Sequence, residues 1–155
     1  MQRATLALAL CTLVMMSGFA VAAEVAPGDV QFEDGMVATP VADQPGDPEE
    51  GATIVANRGL GNCLACHAVS ALGTEQFHGD VAPPLDGAAD RWPPELLRAI
   101  VIDAKQVFGE QTMMPGFYSL NVGINVRKDL VGKTILTAQQ VEDVVAFLMT
   151  LKDAE

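Results

Sequence analysis

The chain has 155 residues, half of them hydrophobic, with 20 acidic residues against 9 basic ones and a net charge of −11. That length suits one domain, and the acidic excess excludes a nucleic-acid partner, whose phosphates such a surface would repel. Three cysteines are too few for a multi-disulfide framework.

The chain opens MQRATLALALCTLVMMSGFAVAAEVAPG. Arg3 is the only charge before Glu24, an apolar stretch follows it, and small residues close the segment at Ala20, Ala22 and Ala23. This order predicts a signal peptide over 1–23, cleaved after Ala22 or Ala23, and an exported protein. The alternative is a retained anchor, since the apolar run approaches the shortest membrane-spanning length. Cys11 follows Leu10 rather than a small residue, which does not fit a lipoprotein site. Cleavage removes Cys11 and leaves Cys63 and Cys66.

Residues 24–50 carry eight acids and no base. They show neither helical nor strand period and read as an extended acidic arm, either poorly ordered or wrapped over the domain surface. Residues 51–155, with twelve acids against eight bases, form the remaining domain. Its first helix begins at Asp47, an N-cap residue followed by Pro48 at the first helical position, with Glu50 three residues after the cap. Gly59 and Gly61 end it. Gly51 reads either as a helix-start glycine or as a point of close approach to the last helix, with Phe147 as the facing residue.

Directly after this helix comes GNCLACHAV. Cys63, Cys66 and His67 form C-x-x-C-H, the attachment pattern for c-type haem: each thiol adds to one vinyl group and the adjacent imidazole is placed under the iron. Two other chemistries use such a pair, a thiol–disulfide exchange site and half of a zinc site. Ala65, Ala68 and Val69, small or apolar, suit either a lightly charged docking face around the haem edge or a buried crevice. His78 lies eleven residues on, in a loop rich in Gly and Pro. It is either a solvated residue or a second axial histidine.

WPPELLRAIVIDAKQVF predicts a helix whose Leu96, Leu97, Ile100, Val101 and Ala104 share one face. TMMPGF follows, with Met113 and Met114. A thioether is a soft, neutral iron ligand and a following proline stiffens its loop, so Met114, joined to Pro115, is the candidate second axial ligand and Met113 a packing residue. YSLNVGINVRKDLVGKTIL alternates briefly and reads as a small hairpin or an insertion loop. Thr137 and Gln140 make a capping box for the last helix, where Val141, Val144, Val145 and Leu148 recur at helical spacing. The predicted fold class is all-α.

The order CLACH, APPLDG, TMMPGFY, DVVAFLMTLK resembles class I cytochromes c. The resemblance implies one covalently bound haem c. It also implies that Pro83, in APPLDG, accepts a hydrogen bond from the ligating His67 through its carbonyl, although Ala82 stands where the family has glycine. Together with GLGNCLACHAVS, FHGDVAPPLDGAADRW and the long insertion after the methionine, the pattern is similar to the small monohaem cytochrome subunit of the periplasmic sulfur-oxidation (Sox) system. That resemblance covers most of residues 51–152 and leaves the acidic arm aside. It implies a periplasmic protein, off the membrane once its leader is removed. Its partner would be a larger haem-bearing subunit, and together the pair would oxidatively couple thiosulfate to a cysteine of a sulfur-carrier protein. This chain would relay electrons to a soluble cytochrome without being the catalytic subunit. The alternative is an autonomous soluble electron carrier.

Overall fold

The computed structural model describes residues 24–153. The signal peptide expected over 1–23 lies outside the described residues. Among these, the protein is helical without a strand: α1 is Pro48–Ala56, α2 Ala88–Arg91, α3 Pro94–Phe108 and α4 Ala138–Leu148. Single 3-10 turns occur at Cys63–Ala65, Ser70–Leu72 and Lys128–Leu130, and one isolated bridge joins Glu33 and Met36. Of the two readings of 118–136, a small hairpin or an insertion loop, the structure realises the loop. That segment is loop with one 3-10 turn, and Ile124 is 98% exposed, so no second apolar face is there to hold a strand.

α1 starts as its sequence dictates. The Asp47 carboxylate accepts from the backbone N–H of Glu49 at 2.8 Å and of Glu50 at 3.4 Å. α4 starts on a complete capping box between Thr137 and Gln140. The two helices pack chiefly on each other, and α4 also on α3. Gly51 permits the crossing: a Cβ there would lie 2.0 Å from the Asp143 carbonyl oxygen and 2.8 Å from the Phe147 Cβ. Gly46 does the same against the Glu142 carbonyl oxygen, again at 2.0 Å. Of the two readings of Gly51, close approach is the one the structure realises, with Phe147 facing it.

The acidic arm is a wrap. Val37 and Val41 are fully buried core residues, and Val25, Val30 and Phe32 pack against that core. Backbone bonds tie the strap to itself and to the helices, Val25 N to Val41 O at 2.9 Å and Val37 N to Glu95 O at 3.1 Å. Its strongest anchor is a buried ion pair between α3 and α4. Arg98 Nε donates to Glu142 Oε1 at 2.9 Å and Nη2 donates to Oε2 at 3.0 Å. Arg98 Nη1 donates to Val37 O at 3.0 Å, and Glu142 Oε1 accepts from Val41 N at 2.9 Å. Both charges are thus hydrogen-bonded as well as paired, the condition for tolerating their desolvation. Asp143 Oδ1 accepts from Asp47 N at 2.9 Å and fixes the entry to α1.

α3 is not one straight helix. Asp103 has φ −155° and ψ 95°, an extended conformation, and its carboxylate accepts from Lys105 N at 3.2 Å. It therefore acts as an N-cap inside the helix, ending one segment and starting the next. The break frees the carbonyls of Val101 and Ile102, which accept instead from Phe117 N at 3.2 Å and Tyr118 N at 3.1 Å.

Candidate haem site

The two thiols sit in one tight turn immediately after α1. Cys66 N bonds to Cys63 O at 3.1 Å and His67 N to the same oxygen at 2.9 Å, so Cys63, Cys66 and His67 are presented together. The turn opens at Asn62, whose φ is +50°, a left-handed conformation that asparagine tolerates better than most residues. Both thiols are free. Burial, with the neighbouring Cys66 adding to it, pushes the Cys63 thiol up to about 11. A thiol held that high is a poor thiolate at neutral pH, unlike the activated thiol of an exchange site. Among the described residues, no three His, Cys, Asp or Glu side chains converge as a metal site would require, which counts against the zinc alternative.

His67 is oriented by one short contact, Nδ1 to the Pro83 carbonyl oxygen at 2.6 Å. That bond uses Nδ1 as donor and leaves Nε2 as the nitrogen for a metal. The loop bearing Pro83 lies along the thiol turn, with Ala82 N donating to Cys66 O at 3.0 Å and Gly79 N to Leu64 O at 2.8 Å. Ala82 is not among the positive-φ residues, so alanine meets no conformational obstacle where the family has glycine. The close contact falls to Gly79 instead, where a Cβ would come within 2.2 Å of the Ala65 carbonyl oxygen.

His78 is structural. Its Nδ1 accepts from Val69 N at 3.2 Å and its Nε2 faces Leu72 O at 3.2 Å. Both ring nitrogens are engaged in holding the 69–78 loop, so the bis-histidine alternative has no free nitrogen on this residue. Val69 is fully buried while Ala65 is exposed. Of the residues beside Cys66, Val69 therefore belongs to the core and not to a docking face.

The two methionines point differently. Met113 is 80% exposed, and Met114 packs half-buried against the core. The expectation that Met113 packs is thus corrected: its side chain faces solvent. The loop bearing Met114 is held from several sides. Lys105 Nζ donates to Glu110 O at 3.2 Å and to Thr112 O at 2.6 Å. Phe117 O accepts from Ile135 N at 3.0 Å and Leu136 N at 2.9 Å. Gly116 is pressed against Ser119 and the Asp103 carboxyl group, which a Cβ would meet at 2.8 and 3.2 Å.

A concavity of about 380 Å³ lies between Gly59–Asn62, just before the first thiol, and Pro115 and Phe117, just after Met114. Asn62, where the thiol turn opens, and Pro115, next to Met114, thus line the same concavity, while Cys63, Cys66, His67 and Met114 themselves do not line it. A larger concavity of about 650 Å³, lined by Asn62, Leu64 and Ala65 of the thiol turn and by Thr74–Phe77, likewise touches neither His67 nor Met114.

The cytochrome c family profile matches residues 48–152. The chain belongs to the cytochrome c family. The crystal structure of SoxXA from P. pantotrophus contains a chain 46% identical to this one, with a TM-score of 0.78, the match covering 84% of this chain and 100% of that one. That share exceeds what residues 51–155 make up, so the similarity extends beyond the domain recognised in the sequence. Among curated proteins there is no significant match.

Membership in the family carries a covalently bound haem c, and this cytochrome's residues fit that group. Two unpaired thiols share a turn, the imidazole has one nitrogen tied and one free, and a thioether packs half-buried against the core on a loop whose next residue, Pro115, lines the same concavity as Asn62. Sequence reasoning missed the residues that hold the methionine loop, Asp103, Lys105 and Tyr118. The one available signal was Asp103, an N-cap residue type in the middle of a helical pattern.

Proposed function

We propose that this protein is the exported electron-relay subunit of a two-cytochrome, thiosulfate-oxidising enzyme, in which Cys63 and Cys66 attach the haem and His67 and Met114 bind its iron. When bound, the haem supplies a one-electron couple, and a thioether ligand raises its potential. The observation that carries the reading is the 2.6 Å bond from His67 to the Pro83 carbonyl, which fixes the imidazole and raises its basicity; the methionine loop is likewise tied down on several sides. With His67 and Met114 both holding the iron, the haem would have no position open to a substrate. Among the described residues Cys63 and Cys66 are the free thiols, and attachment uses both, so none is left to carry sulfur.

The thiosulfate chemistry would then belong to a larger haem-bearing partner. Joining thiosulfate to a thiol of a sulfur-carrier protein forms one S–S bond and releases one proton and two electrons. This chain would take those electrons singly and pass them to a soluble cytochrome. The likeness to SoxXA supports this assignment and the heterodimer. The leader over 1–23 would send the chain to the periplasm. Among the described residues no helix is long and apolar enough to cross a membrane.

Reconstitution tests the proposal. The holoprotein mixed with the larger subunit should form a stable heterodimer in which thiosulfate and carrier protein reduce both haems. Thiosulfate oxidation by this chain alone, or failure to associate at micromolar concentration, would exclude the relay assignment.

A further inference from the structure

We propose that Tyr118 is a positioning residue for the iron ligand Met114, a latch through which the N-terminal strap holds the methionine loop in its ligating conformation. The proposal rests on Met114 being the axial ligand.

Tyr118 lies four residues after Met114 and is 2% exposed. Its hydroxyl donates to the Val25 carbonyl at 2.8 Å and lies 3.0 Å from the Glu24 carboxylate. Val25 in turn is fixed by Val41 O at 2.9 Å, and Val41 by the buried Glu142 carboxylate at 2.9 Å. The phenol is thus tied, through the first two described residues of the chain, to the ion pair at the centre of the fold. On its other side the Tyr118 backbone N–H bonds to Ile102 O, one of the carbonyls freed by the break at Asp103. Burial and the Glu24 carboxylate push its hydroxyl up to about 12, so it remains a protonated donor at neutral pH.

The path from Tyr118 to Met114 is short and stiff. Phe117 is bonded at both its N–H and its carbonyl, Gly116 is buried against Asp103 and Ser119, and Pro115 has a fixed φ. Residues 116–118 are therefore one stiff unit that begins two residues after Met114, and the phenol ties the far end of that unit to the strap. The upstream end is held differently, by Lys105 on the carbonyls of Glu110 and Thr112. The loop is thus tied on both sides of the methionine, and the phenol is the tie that comes from the strap. The N-terminal tie begins at Glu24, where signal-peptide cleavage is expected, so the mature end of the chain would itself contribute to the ligand's placement.

The test is competition by imidazole for the sixth coordination position of the oxidised holoprotein, followed by loss of the far-red band that marks iron–thioether bonding. Imidazole binds the folded protein, so a change that only lowers global stability leaves its apparent affinity unmoved. Tyr118→Phe keeps the ring and removes the hydroxyl. It should bind imidazole about five- to tenfold more tightly, the equivalent of one lost hydrogen bond. Glu24→Gln, at an exposed residue whose loss leaves the Val25 contact intact, should shift affinity in the same direction by less. In the double variant the Glu24 change should add nothing, because its partner hydroxyl is gone. Unchanged imidazole affinity in Tyr118→Phe, with or without a lower melting temperature, overturns the latch. Absence of the iron–thioether band in the wild-type protein would instead show that Met114 is not the ligand, and the latch would fall with it.

Discussion

Replacing Gly51 by alanine sets two effects of opposite sign against each other. Within a helix the change gains about 1 kcal/mol of propensity, and Gly51 sits in the first turn of α1. The structure opposes it. The new Cβ would stand 2.0 Å from the Asp143 carbonyl oxygen and 2.6 Å from its carbon. Both are backbone atoms of α4, so no side-chain rotation relieves the contact. To reach even 3.0 Å, the shortest separation that real Cβ contacts show, the helices must part by roughly 1 Å. Parting them loosens the Asp47–Asp143 bond and the matching contact at Gly46. Overpacking of this kind costs about 3 kcal/mol at the upper end of its usual range, so the net destabilisation should be about 2 kcal/mol. For a domain of this size that lowers the melting temperature by about 6–10 °C. Thermal unfolding of the holoprotein by far-UV circular dichroism measures it. Gly28→Ala is the control, because a Cβ there meets nothing within 4 Å. A Gly51→Ala protein that melts at or above the wild-type temperature would refute the close-crossing argument and leave Gly51 an ordinary helix-start glycine.

Met114→Ala should abolish the iron–thioether band of the oxidised protein and Met113→Ala should keep it. The reverse result would exchange their roles. Glu142→Ala leaves the Arg98 guanidinium buried with only the Val37 carbonyl and strands the Val41 N–H. It should cost about 3–5 kcal/mol in urea unfolding, while the double change Arg98→Met, Glu142→Leu should recover much of that loss. Tyr118 titrates near 10 when unfolded and about 12 when folded. The folded state therefore holds this proton more tightly, and the stability it confers is complete below pH 10 and lost as pH rises towards 12. The difference in unfolding free energy between wild type and Tyr118→Phe should shrink across that window. A difference that stays constant would show that the phenol does not titrate as described. Protein purified from its native host should start at Ala23 or Glu24 by N-terminal sequencing, and a chain starting at Met1 would remove the leader assignment.

What could be read from the sequence is what depends on neighbours a few residues apart. The caps at Asp47 and Thr137 and the apolar face of α4 follow from one- to four-residue spacings, and the structure realises each of them; on α3 the face is realised only in part, since Leu96 is half-buried while Ala99 and Ile102, off that face, are in the core. C-x-x-C-H is equally local, since three side chains with one chemistry fall in one turn. The family resemblance pointed to Pro83 as the partner of His67, and the 2.6 Å contact is there. Long-range contacts were not legible. Glu142 and Asp143 lie between apolar positions of α4, and nothing in their spacing marks them as buried. They are buried because a strap about a hundred residues away in sequence covers them, and its backbone N–H groups supply the bonds that make burial tolerable. The strap carried no helical or strand period because its bonds go to α3 and α4 and not to a regular neighbour. The break at Asp103 is tertiary in origin too. It exchanges helix bonds at Val101 and Ile102 for bonds to Phe117 and Tyr118, a trade that no local propensity contains. The C-x-x-C-H chemistry was thus written in adjacent residues, while the placement of the Met114 loop was decided by segments that meet only when the chain is folded.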